Sequence, residues 1–223
     1  MVIAIDGPAA SGKSSTAKAV AAELGYRYLD SGAFYRALTL AALNAGLPTR
    51  TWSSLTTEQV RNLAVAATPV GAGYDLSIAG APVGDEIRSS RVNAHVSRLA
   101  AVPAVRGWLL DALREAGRDG GLVADGRDIG TVVFPDAELK IFLVCDPEER
   151  ALRRLRQRGR PEPDVRQIRE EARHLLERDR LDQSREIAPL IKAHDAILLD
   201  TTDLSLDAQV GAIVRLARAR ARP

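Results

Sequence analysis

Gly7-Pro8-Ala9-Ala10-Ser11-Gly12-Lys13-Ser14 fits the pattern G-x-x-x-x-G-K-[ST], and its reading decides the fold. Gly7 and Gly12 let the backbone close around phosphate oxygens so that successive N–H groups point inward. A helix starting here directs its positive end at the same place. Lys13 then reaches the β- and γ-phosphates, and the Ser14 hydroxyl ligates Mg²⁺. In a chain of 223 residues a chance match has odds of roughly 1%. The flanks agree with the motif. Val2-Ile3-Ala4-Ile5, ending at Asp6, reads as a buried strand, and TAKAVAAEL reads as a helix that Gly25 terminates. The stretch from Gly7 to Ser15 is therefore a nucleotide cradle.

Outward from the cradle, strands and helices alternate. Tyr26 to Leu29 reads as a second strand, and Ser31 can cap a helix to about Asn44. Strands are expected at 121–124, 139–144 and 196–199, with helices near 103–115, 147–158, 164–181 and 205–220. This alternation implies right-handed crossovers and an α/β fold of the P-loop NTPase type, a parallel five-stranded sheet flanked by helices. Residues 56–102 break the pattern. A helix over EQVRNLAVAA leads into TPVGAGYDLSIAGAPVG, whose Gly and Pro punctuation indicates a small antiparallel insertion. There is no internal repeat or low-complexity tract, and the C-terminal RLARARAR reads as a solvated helix end.

The composition excludes several classes. Apolar residues make up 46%, enough for a full core, and a formal charge of +2 gives no argument for a nucleic-acid partner. With Lys13, Lys18, Lys140 and Lys192 the only lysines, the cationic residues are almost all arginine. An anionic substrate explains that bias, and so does a general Ala/Arg preference in the source genome. Cys145 is the one cysteine, and neither a leader segment nor an apolar run of membrane length is visible. A cytoplasmic protein without a membrane partner is expected. A GTPase would carry N-K-x-D, yet none of Asn44, Asn62 and Asn93 precedes a lysine. A small phosphotransferase remains.

Three sets of charges stand out. Arg36 lies in GAFYRALTLAAL, apolar almost all round, with Gly32, Ala33, Thr39 and Leu40 one turn away on either side. Its partner is an external anion, or it snorkels from a helix edge. Asp125-Gly126-Arg127-Asp128 follows a strand at the sheet end where ligands bind: Asp125 can organise Mg²⁺ or its waters and Arg127 can meet phosphate, or the charges simply sit in a solvated turn. Arg178, Asp182 and Arg185 share one helix face if the helix from Asp164 runs that far. They line a cleft or pair with one another.

Nearly the whole chain resembles the bacterial cytidylate kinase family of nucleoside monophosphate kinases. The resemblance runs, in order, through IDGPAASGKSS, LDSGAFYR, GDEIRSSRVNAHVSRLAAVPAVR, ADGRDIGTVVFPDAELKIFL and ERDRLDQSREIAPL. It implies a single kinase domain: a core (about 1–35, 103–153 and 182–223), a monophosphate-binding lobe (about 36–102), a lid (about 154–165) and the helix after it (about 166–181). It implies ATP as donor with Mg²⁺, CMP or dCMP as acceptor, a role in pyrimidine nucleotide metabolism, and a monomer. Ser31, Arg36, Ser97, Arg106, Arg127, Asp128, Arg178, Asp182 and Arg185 would surround the acceptor. Of these, Ser97, Arg106 and Asp128 would read the cytosine edge, and Asp182 and Ser31 would meet the sugar. Arg36, Arg127 and Arg178, with Arg185 close by, would hold the phosphate, and Lys13, Arg127 and Arg178 would act on the transferring group. Arg154 or Arg158 would approach the ATP phosphates. Ala10 and Ser15 depart from the family's usual glycine and threonine. UMP, AMP or a metabolite hydroxyl are alternative acceptors, a hydroxyl calling on Asp125 or Asp128 as base. A nucleotide switch without acceptor chemistry is the alternative of another class. His95, His174 and His194 are assigned no catalytic role.

Overall fold

The computed structural model describes residues 1–221. The chain runs β1 (Val2–Asp6), α1 (Lys13–Leu24), β2 (Arg27–Asp30) and α2 (Ser31–Asn44), then a 3₁₀ turn at Thr49–Ser54 and α3 (Thr57–Arg61). Three short strands follow, β3 (Val65–Val70), β4 (Gly73–Ile78) and β5 (Ala81–Pro82), with a 3₁₀ turn at Gly84–Arg88 and α4 (Ser90–Leu99). The chain continues through α5 (Pro103–Gly117), β6 (Leu122–Gly126), one π-helical turn (Ile129–Val133) and β7 (Leu139–Val144). It ends with α6 (Pro147–Gln157), α7 (Val165–Gln183), β8 (Ile197–Asp200) and α8 (Leu206–Arg220).

The main sheet has the order β2-β6-β1-β7-β8, with every neighbouring pair parallel. Period-two alternation divides its residues between two apolar layers. Ile3, Ile5, Val123, Ile141 and Leu143 pack against α1 and α8. Ala4, Leu29, Leu122 and Ala124 pack on the other side against α2 and α5. The register sets Asp6 beside Gly126 and Asp30 beside Asp125 at the carboxyl ends of the strands. Acidic strand ends and the glycine loop therefore meet along one edge.

The antiparallel insertion is present, with strand order β3-β4-β5. It has no core of its own: Val65, Leu76 and Ile87 belong to the same cluster as Leu38, Leu109 and Leu122. The helix expected over EQVRNLAVAA is limited to Thr57–Arg61, and Val65 onward forms β3. β-branched Val65, Thr68 and Val70 suit a strand, and Val65 gains a buried place against the core. The cap of α2 is Asp30, whose carboxylate accepts from Ala33 N, so Ser31 is the first helical residue. An ionised carboxylate at a helix start outcompetes a hydroxyl one residue later. The other expected strands and helices lie within about three residues of their expected ends, and α4 was not expected. In RLARARAR, Arg222 lies outside the described residues.

Two loop positions have measurable consequences. At Gly7, with φ of 152°, a Cβ would sit 2.3 Å from the Leu143 carbonyl oxygen. Gly7→Ala is expected to destabilise the fold by about 3 kcal/mol, visible as lost soluble yield and a lower Tm. Ala10 adopts φ of 58°, a left-handed conformation costly for alanine. Ala10→Gly should stabilise the protein by about 1 kcal/mol, a Tm rise of about 2–4 °C followed by circular dichroism; an unchanged or lower Tm would show that the loop carries no strain there.

Candidate active site

The loop between β1 and α1 presents a positive surface. Gly12 caps α1 without a side-chain hydrogen bond, and the first turn holds no acid, so the helix's leading N–H groups are left for an anion. Lys13 is buried and its Nζ donates to the Pro8 carbonyl and to Ser11 Oγ. Burial, and after it the Arg127 guanidinium, pull its ammonium well below the ordinary value. Ala9, Ala10, Ser11, Gly12, Lys13, Ser14 and Ser15 line the cleft, whereas Gly7 and Pro8, at the start of the loop, are not among its lining residues.

Asp125 stands at the end of β6, facing the loop. One of its oxygens accepts from Ser14 Oγ at 2.9 Å and the other from the Tyr28 hydroxyl at 2.8 Å. Burial, reinforced by Asp30, pushes its carboxyl up to about 7. A hydroxyl and a buried carboxylate form a hard-oxygen pair, and a cation here would favour ionised Asp125. No cluster of three acidic, His or Cys side chains suited to a metal occurs among the described residues. The donor set fits a divalent cation that keeps most of its coordination for water and phosphate.

Across the cleft the arginines divide into two kinds. Arg127 Nε donates to Asp182 Oδ2 at 2.8 Å, and Arg185 pairs with the other Asp182 oxygen. Burial opposes that carboxylate's ionisation, but Arg127 and Arg185 outweigh it and hold its pKa below the ordinary value. Arg36 and Arg178 have no such partner. Arg36 Nη1 donates to Asn93 Oδ1 at 2.7 Å, a neutral acceptor, and burial with Arg88 nearby lowers its pKa to about 10. The Arg178 Nε is sealed from solvent with no hydrogen bond, and burial followed by Arg127 lowers its pKa to about 9. Neither forms an ion pair among the described residues. Arg185 lies beyond the end of α7 at Gln183, so the shared helix face covers only Arg178 and Asp182.

Asp128 and Arg106 form a buried ion pair. Arg106 also donates to the Ala100 carbonyl at 3.0 Å and lies over the Tyr35 ring. It therefore stands behind Asp128 rather than on the cleft wall. Ser31, Ser97, Asp128, Asp182 and Arg185 do line the wall, as do Arg36, Arg127 and Arg178. The Ser31 hydroxyl donates to the Asp125 carbonyl at 2.7 Å. Arg154 and Arg158 border the same cleft from the end of α6 and just beyond it, Arg158 pairing with Glu171. His95 packs edge-on against Trp52, away from any chemistry. The cleft measures about 980 Å³, at the upper end of the range for a single small-molecule pocket.

Sequence reasoning missed Tyr28, Asn93 and Asp6. Asp6 accepts from the backbone N–H groups of Ile129 and Gly130 at 2.8 and 2.7 Å, pinning the turn after Asp128. Their signal was weak because each acts on residues far along the chain.

The sequence model of the family described as Cytidylate kinase matches residues 3–219. A cytidylate kinase of Chlorobaculum tepidum is 45% identical over 97% of this chain and 92% of its own. One from Bacillus pumilus is 45% identical over 96% of this chain and 95% of its own. A solved structure of an uncharacterised protein from Eubacterium ventriosum shares the fold, with a TM-score of 0.52 at 12% identity and 98% coverage of both chains.

The unpartnered guanidinium of Arg178 costs the ligand-free fold stability. Arg178→Met should raise the stability by about 1–2 kcal/mol while reducing the Tm gain that inorganic phosphate confers. A lower Tm would mean the cation is satisfied within the protein.

Proposed function

Because the chain belongs to the cytidylate kinase family, we propose that it transfers the γ-phosphoryl group of ATP to CMP, and to dCMP, giving ADP and the corresponding diphosphate. The observation that carries this reading is a set of buried guanidinium groups, Arg36 and Arg178 among them, lining the same cleft as the glycine loop and lacking carboxylate partners.

Phosphoryl transfer to a phosphate oxygen needs little covalent help from the protein. The acceptor oxygen is already ionised, so no strong base is required. The obstacle is repulsion between two polyanions. Lys13 and the N–H groups of the loop and α1 take the donor phosphates. Arg36, Arg127 and Arg178 take the acceptor phosphate and turn its oxygen toward the γ-phosphorus. Ser14 and Asp125, directly or through water, would hold a divalent cation such as Mg²⁺, which would supply screening of the donor phosphate charge. Asp182 divides itself between Arg127 and Arg185 and so fixes both guanidiniums while remaining available to the sugar. Asp128, steadied by Arg106, and Ser97 accept from the exocyclic amine of cytosine. Residues 154–165 close over the donor and exclude water, which strengthens each of these interactions. Residues 36–102 form the acceptor lobe.

A hydroxyl acceptor would need a free base. Asp128 is ion-paired with Arg106 and Asp125 accepts from Ser14 and Tyr28, so neither stands as an unengaged base, whereas a phosphate acceptor needs none. No helix among the described residues is long and apolar enough to cross a membrane. That fact and the single buried Cys145 support a cytoplasmic setting.

An ADP-release assay over CMP, dCMP, UMP, AMP and metabolite alcohols tests the acceptor: CMP and dCMP should lead the panel, and inert CMP beside a turning-over rival removes the assignment. Arg36→Ala should raise the CMP KM at least tenfold while leaving the ATP KM within about twofold; equal weakening of both would make Arg36 structural.

A further inference from the structure

We infer that Asp179 and Arg150 are positioning residues for the donor nucleotide, latching the apex of the glycine loop to the helix pair α6 and α7. The inference rests on the reading above that this loop holds ATP phosphates.

Ala9, in the middle of the loop, is gripped through both of its backbone groups. Its N–H donates to Asp179 Oδ1 at 2.8 Å, and its carbonyl accepts from Arg150 Nη1 at 3.0 Å. The same Arg150 Nη1 pairs with Asp179 Oδ2, closing a ring of three interactions. Ala9, Arg150 and Asp179 are each at most 5% exposed. In so dry a place these charge-assisted bonds hold the loop firmly, and losing one partner leaves a buried group unsatisfied.

The location is what gives the latch its consequence. The residue after Ala9 is Ala10, in the disfavoured left-handed conformation. A backbone held against its own preference requires an outside restraint, and the restraint lies one residue away. The Ala9 N–H donates to Asp179, so that group is spent on the latch rather than offered to a phosphate. Asp179 is flanked on α7 by Arg178 and, one turn on, Asp182, while Arg150 precedes Arg153 and Arg154 on α6. The helices that carry Arg153, Arg154 and Arg178 thus hold the donor loop in register with those three side chains.

The test uses Arg150→Met/Asp179→Leu, which replaces the ion pair with apolar side chains of similar size and keeps the fold. The KM for ATP and the Kd for ADP measured calorimetrically should both rise about tenfold, with the CMP KM within twofold. The ADP titration reads the loop alone, so it stands whatever acceptor the panel selects. Unchanged ADP affinity, or ATP and CMP KM rising in step, overturns the inference. Should the double variant not fold, Asp179→Asn, which keeps an oxygen for Ala9, should show the same split at about threefold, and its absence is equally decisive.

Discussion

Buried positive charge without enough negative charge to match it is the constraint on which this structure depends. Arg36, Arg127, Arg178 and Arg185 converge on one cleft, and Asp182 pairs with two of them while its single charge balances only one. Arg36 is left with an amide oxygen and Arg178 with no hydrogen bond at Nε. A fold selected for stability alone would replace such groups with apolar ones. An anion held between them would supply the negative charge that these groups lack.

The fold bears this cost because its apolar layers lie elsewhere. The two clusters flanking the sheet, one against α1 and α8 and the other against α2, α5 and the insertion, leave the carboxyl edge of the strands polar. β1 and β6 deliver the loop and Asp125 side by side, since their parallel register sets Asp6 against Gly126. The insertion and α4 share their apolar core with one face of the sheet.

Much of this was legible in the sequence for identifiable reasons. The loop was readable because its geometry demands particular residues at fixed spacing, as the near contact of Gly7 with the Leu143 carbonyl shows. Arg36 was readable because its helix offered no local acid. The strands were readable because burial on both faces leaves few residue choices. Ser31 was misjudged as a cap because serine and aspartate cap helices about equally well, and here Asp30 both closes β2 and caps α2. The helix over 58–67 was misjudged because alanine tolerates a strand once the neighbouring residues are β-branched and one of them is buried.

By itself, the sequence determined the order of elements, the position of the phosphate cradle and the surplus of arginine near it. All three follow from local spacing and steric demand. Tertiary structure alone decided which carboxylate answers which arginine: Asp182 for Arg127 and Arg185, Asp128 for Arg106, Asp179 for Arg150. Ala9 and Asp179 are 170 residues apart when they bond. Side-chain hydrogen bonds are short and directional, so partners that distant are set by the packing of whole elements and leave no periodic trace along the chain.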